Sequence, residues 1–110
     1  MYKMIYVDNC EQRENYDIFE KEFETKEEAD RVYEELFSLV KASIVEEMEG
    51  YISVNPQMSQ VLQQIIEVIK NLNMDEEIVL KAQETPFLTM DKGQLEFTFM
   101  NRHIVLKMQA

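Results

Sequence analysis

Cys10 and His103 are the one thiol and the one imidazole of the chain, and together they could supply a nucleophile and its base. That chemistry needs the two within hydrogen-bond reach and a third group to orient the ring. Cys10 lies in a polar stretch, DNCEQREN, and His103 opens a strand pattern on its outward side. Neither is flanked by a nucleophile signature, so both read as solvated single residues and no catalytic residue is expected. Metal chemistry has as little to build on. Asp8-x-Cys10-x-Gln12 lacks the ligands and the central glycine of a calcium loop. One Cys and one His cannot close a structural zinc site within a chain, and Asp75-Glu76-Glu77 reads as a turn cluster. Phosphate-cradling loops need clustered glycines, whereas Gly50 and Gly93 stand alone, so no cofactor is expected.

The carboxylates are the remaining residues with functional content. Residues 1–50 hold fifteen of the twenty-two acids and six basic residues, a net −9 of the chain's −11. Close acid pairs can do general acid–base work only in a pocket that separates their pKa values. The spacing here suggests a surface instead. Glu20, Glu22 and Glu24 alternate along a strand pattern, at intervals of about 6.6 Å. Glu27, Asp30 and Glu34 follow on one side of a helix pattern at roughly 5–6 Å. The six form an expected row of negative charge, spaced as a crude imitation of a phosphate backbone. Charge of this kind also keeps small domains apart in solution. It repels nucleic acid and anionic lipid and attracts basic proteins.

The elements that must carry this row follow from apolar periodicity. Residues 2–7 and 16–24 read as two strands, the first with Tyr2, Met4 and Tyr6 on one face and Ile5 and Val7 on the other, the second with Phe19 and Phe23 inward, and with a polar connector over 8–15. Tyr16 and Ile18 break the alternation and suggest a bulge. Thr25 followed by Glu28 is a capping-box signal for a helix from about 26. Ala29, Val32, Tyr33, Leu36, Val40 and Ile44 form its apolar stripe, and Gly50 is its expected stop. Asn55-Pro56 opens a second helix, with Met58, Val61, Leu62, Ile65, Ile69 and Leu72 as its stripe. Residues 73–77 are a break, and 78–82 fit a strand or a short helix, with the β-branched pair favouring strand. Strands are expected at 87–90, 95–100 and 103–108, with turns at Asp91-Lys92-Gly93 and Asn101-Arg102.

The fold expectation is a single α+β domain over residues 1–110: an antiparallel sheet of about five strands, order ββ-α-α-βββ, packed by two amphipathic helices. Both helices are apolar over more than one face, which predicts deep burial or a homodimer interface. Cys10 allows no intramolecular disulfide, and no apolar run suits a secretory leader or a membrane span, so a cytoplasmic protein is expected. In size, charge and scarcity of motifs the chain resembles the small acidic inhibitors of phages and mobile elements, anti-CRISPR proteins and other DNA mimics among them. Toxin-neutralising immunity proteins are similar in the same bulk sense. The resemblance implies a non-enzymatic inhibitor that fills the basic, nucleic-acid-binding groove of a target protein. The alternative is a homo-oligomeric accessory protein whose acids only give solubility.

Overall fold

Aromatic and β-branched residues alternate from the second residue onward, a pattern suited to a pleated surface, and Tyr2–Cys10 forms β1. It runs three residues beyond the expected end. β2 (Asp17–Phe23) pairs with it antiparallel, with Tyr2 opposite Phe23 and Val7 opposite Ile18. The computed structural model describes residues 1–10, 17–82 and 84–109, and the side chains of Cys10 and Asp17 fall outside that description. The expected connector over 11–15 and the irregularity at Tyr16 also lie outside the described residues.

Helix α1 (Lys26–Val54) starts where the capping pattern places it. The Glu28 backbone N–H donates to Thr25 Oγ1 at 3.3 Å, and the Ala29 N–H donates to the Thr25 carbonyl at 3.2 Å. The helix does not stop at Gly50. Gly50 is an interior helical residue with open space where a Cβ would project, so no close approach demands it. The stop comes at Asn55, where the following proline disfavours helical geometry and φ is −136°. One 3₁₀ turn, Pro56–Met58, leads into α2 (Ser59–Lys70).

The C-terminal region is a meander of β3 (Ile78–Ala82), β4 (Thr85–Asp91), β5 (Gln94–Phe99) and β6 (Arg102–Gln109). Residues 78–82 are therefore a strand, and the sheet has six strands rather than about five. The strand order is β2-β1-β6-β5-β4-β3, antiparallel throughout. Pro86 sits where the β3–β4 register shifts, before β4 begins to pair with β5, so its missing N–H removes no ladder bond to β5. Lys92 and Gly93 take φ of 51° and 78° between the paired residues Asp91 and Gln94. Two consecutive positive φ values make a two-residue turn of the type whose twist matches a hairpin, and Gly93 adopts its half without a Cβ penalty. The β5–β6 turn is Met100-Asn101, one residue earlier than expected. Met100 takes the other positive φ, 54°.

Contacts group the chain into two compact units, Met1–Tyr33 with Met74–Ala110, and Glu34–Asn73. In the first, Met4, Phe23, Leu88, Met90, Leu95, Phe97, Ile104 and Leu106 are buried. The register places Met4, Phe23 and their strand partners on one face of the sheet, with Ile5, Val7 and Val105 half-exposed on the other. Ala29 and Tyr33, from the start of α1, are buried as well, and the covered face is the one that can bury them. The Tyr33 hydroxyl donates to the carbonyls of Gly93 and, at 3.2 Å, Leu106. One phenol thus ties the helix start to the β4–β5 turn and to β6.

In the second unit, Phe37, Val40, Ile44 and Met48 of α1 and Leu62, Ile66, Ile69 and Leu72 are buried. Lys41 Nζ donates to the carbonyls of Leu72 at 2.8 Å and Lys70 at 3.4 Å, and lies 5.2 Å from the Phe37 ring centroid. A cation on those last carbonyls suits the negative end of the α2 dipole, and the contact makes the two helices an antiparallel hairpin. The buried stripe of α2 is centred on Leu62, Ile66 and Ile69. Met58 and Val61, expected in the core, are exposed. Among the described residues no helix is long and apolar enough to cross a membrane.

Burial pushes the Tyr33 phenol from its ordinary value of 10.0 up to about 12. A raised acid pKa favours the protonated folded state, so its contribution is full below pH 10 and is lost as pH rises towards 12, by up to about 3 kcal/mol. Tyr33→Phe is expected to cost about 1–3 kcal/mol at pH 7, because two carbonyls lose a donor. In urea titrations the gap between wild type and Tyr33→Phe should narrow above pH 10. A gap that stays constant to about pH 11.5 would contradict the buried hydrogen-bonded phenol.

Candidate acidic interface

Strand β2 forms one edge of the sheet, because the far side of β1 is taken by β6. Its alternation sends Phe23 to the buried face, and Glu20 and Glu22 to the other face, opposite Ile5 and Lys3. Lys3 Nζ lies 3.2 Å from Glu20 Oε2 in an exposed ion pair. Glu24 follows in the bend after the strand and is exposed. Glu27 and Asp30 lie in the first turns of α1, on a helix that covers the buried face, and both are exposed. Acids here also complement the positive end of the helix dipole. Lys26 bonds to Asp30 at 3.1 Å, and this hydrogen bond and charge raise the Lys26 pKa. Glu34, one turn further along α1, is exposed and is the first residue of the second unit.

The six acids are therefore solvent-facing, but they do not form the straight row that spacing alone implied. Glu20 and Glu22 project from the open face of the sheet, and Glu27 and Asp30 project from the helix on its other side. Glu24 sits between the two groups. Glu20, Glu22 and Glu24 lie at the β2 edge, whereas Asp30 faces the β4–β5 turn and β6. Among the described residues, no ion pair or hydrogen bond engages the side chains of Glu22, Glu24, Glu27 or Glu34.

Asp30 also borders a cleft of about 330 Å³ within the first unit, walled by Tyr33, Met74 and Met108. Asp75 and Glu77, expected as a turn cluster, line it together with a single cation, Lys92. Among the described residues no group of three or more His, Cys, Asp or Glu is placed to hold a metal ion. His103 lies 3.9 Å from Glu96, across the β5–β6 pair. Backbone register sets His103 opposite Asn9, and Cys10 opposite Arg102. Met100 sits exposed at a turn.

The polar constellation that sequence reasoning missed is buried. Asp8 accepts two bonds from Arg102, from Nε at 3.0 Å and from Nη2 at 2.8 Å, and a third from the Tyr6 hydroxyl at 3.2 Å. Side-chain exposure is 15% for Arg102 and 7% for Asp8. The fork geometry joins β1 to β6 across 94 residues of sequence and gives the buried carboxylate strong partners. A signal was present. Asp8 is in phase with Tyr2, Met4 and Tyr6, and Arg102 with Ile104 and Leu106, so each falls on an inward position.

The chain matches no protein-family model, no curated protein and no solved structure.

Removing Arg102 takes two charge-assisted hydrogen bonds from the buried Asp8 carboxylate, which costs about 3–5 kcal/mol. Arg102→Ala should lose that much stability in chemical denaturation, and Arg102→Lys should recover only part of it, because an ammonium cannot reproduce the fork. Loss below about 1 kcal/mol would show that the pair is dispensable.

Proposed function

We propose that this chain is a non-enzymatic inhibitor that inserts its acidic β2 edge into a basic groove of a target protein, one that ordinarily holds nucleic acid. The observation that carries the reading is the run of exposed carboxylates Glu20, Glu22 and Glu24 on and beside the edge strand β2, continued by Glu27, Asp30 and Glu34 along α1. Glu22, Glu24 and Glu34 form no ion pair among the described residues, and Glu27 acts on Lys26 through its charge alone. A wedge with acids on both of its surfaces suits a groove with basic walls better than it suits a flat surface. The mechanism is steric blockade with electrostatic steering: long-range attraction speeds encounter, and salt screens it over a Debye length of about 8 Å at physiological ionic strength. Lys3 and Lys26 hold Glu20 and Asp30 in place at exposed sites, where such pairs contribute little stability. Those two acids can exchange their partners for groove lysines and arginines at small cost.

The test is charge reversal. Immobilised wild-type chain should retain a basic nucleic-acid-binding protein from host lysate at low salt and release it as salt rises. The Glu20→Lys/Glu22→Lys/Glu24→Lys/Glu27→Lys variant should weaken that capture on the order of 100-fold while keeping the far-ultraviolet circular dichroism of the wild type. Equal retention by the folded variant would remove the acidic edge from the account.

A further inference from the structure

The two edges of the six-stranded sheet are not equivalent. β3 is blunted: it has five residues, and its register to β4 shifts between Leu80 and Lys81. Short length and a bulge are common ways of closing an edge to further strands. β2 has neither. Its seven residues include no proline and pair with β1 in an unbroken register. In an antiparallel ladder every second residue turns its N–H and C=O away from the partner, so about half of these groups on β2 point outward. Among the described residues no strand takes them. Residues 18–22 are exposed on both faces of the sheet, with Ile18 at 56% and Phe19 at 45%. Large apolar side chains beside an open ladder are what an added strand covers.

We propose that the β2 edge captures its target by strand addition, and that the added strand is an extended basic segment of the target protein. Strand addition rests on the inhibitor reading above and gives the contact its form, a backbone ladder with a register. Ile18, Glu20 and Glu22 share the open face, at intervals of about 6.6 Å. Side chains of an added strand lie directly opposite them, so this face calls for one apolar residue and two Lys or Arg in the same alternation. On the other face Phe19 calls for an apolar neighbour, and Lys21 for a neutral or acidic one. An antiparallel occupant therefore reads basic, neutral, basic, apolar, apolar. Charge also rejects a second copy of β2. Antiparallel self-pairing centred on Lys21 sets Glu20 opposite Glu22 twice, and centring on Glu20 sets that acid against itself. Like charges directly opposite are destabilising. The acids that deter self-pairing thus select a basic strand.

The probe is the end-capped peptide Thr-Lys-Thr-Arg-Val-Val-Thr, titrated into the isotope-labelled whole chain at about 50 mM salt. One strand is a small contact, so Kd should be on the order of 0.1–1 mM. Amide shifts and slowed hydrogen exchange should concentrate in β2 and leave β3 unmoved. Two further peptides carry N-methyl groups on alternate residues, one set each, with charge unchanged. The one that blocks the bonding edge should bind at least about tenfold more weakly, and the other should match the parent. Glu20→Lys/Glu22→Lys should lose at least about tenfold with unchanged circular dichroism, and Glu20→Gln/Glu22→Gln should fall between it and wild type. No shift in β2 at about 5 mM parent peptide overturns strand addition, as do shifts centred on β3. Equal binding by both methylated peptides overturns it too, while leaving the charge-driven inhibitor reading standing. Equal binding of the parent peptide to the charge-reversed variant overturns the basic occupant and the inhibitor reading together.

Discussion

The pairing of β1 with β6 is the contact on which the first unit depends. It joins an N-terminal hairpin to a C-terminal meander and so makes one six-stranded sheet from two distant pieces of chain. Loop closure over that span has an entropic cost before any contact offsets it. The Asp8–Arg102 fork lies within this pairing, and its cost and its purpose go together. Two charges taken out of water gain little net stability, yet a slipped register would strand each of them in apolar surroundings. A one-residue slip also turns every side chain to the other face. The ion pair is thus a register lock between strands that no tight turn connects.

That closure also determines where the acids lie. With β6 on one side of β1, β2 has to be an edge strand, and its free backbone groups would invite pairing with any other strand. Glu20, Lys21 and Glu22 guard that edge, since charged side chains are a common defence against edge-to-edge aggregation. The residues that guard the edge are therefore the same ones on which the proposed groove binding rests. The exposure of acids on and beside that edge strand, rather than their number, gives the inhibitor reading its shape.

Local signals in the sequence were largely legible. The Thr25–Glu28 cap, the Asp91-Lys92-Gly93 turn and the alternation through Leu95, Phe97, Ile104 and Leu106 all reappear in the structure, because each is decided by residues close in sequence. The α+β composition, with two helices and an antiparallel sheet, was legible for the same reason. What could not be read depends on distant partners. Gly50 fits a helix stop by type, but termination was decided by Pro56 six residues later. In α2 the apolar residues span two seams, and periodicity alone could not say which one the hairpin buries. Asp8 looked like the start of a polar connector because its partner lies 94 residues away. The six acids Glu20, Glu22, Glu24, Glu27, Asp30 and Glu34 are exposed, as their outward phase implied. Their division across the two surfaces of the sheet required knowing that α1 covers the face opposite Glu20 and Glu22.

The central claim is that the β2 edge binds through its field, and the association rate reports on this most directly. For a captured basic partner, stopped-flow association should slow by at least tenfold between about 50 and about 500 mM salt, while the dissociation rate changes much less. An association rate that does not vary with salt would mean that binding, wherever it occurs, is not driven by these carboxylates.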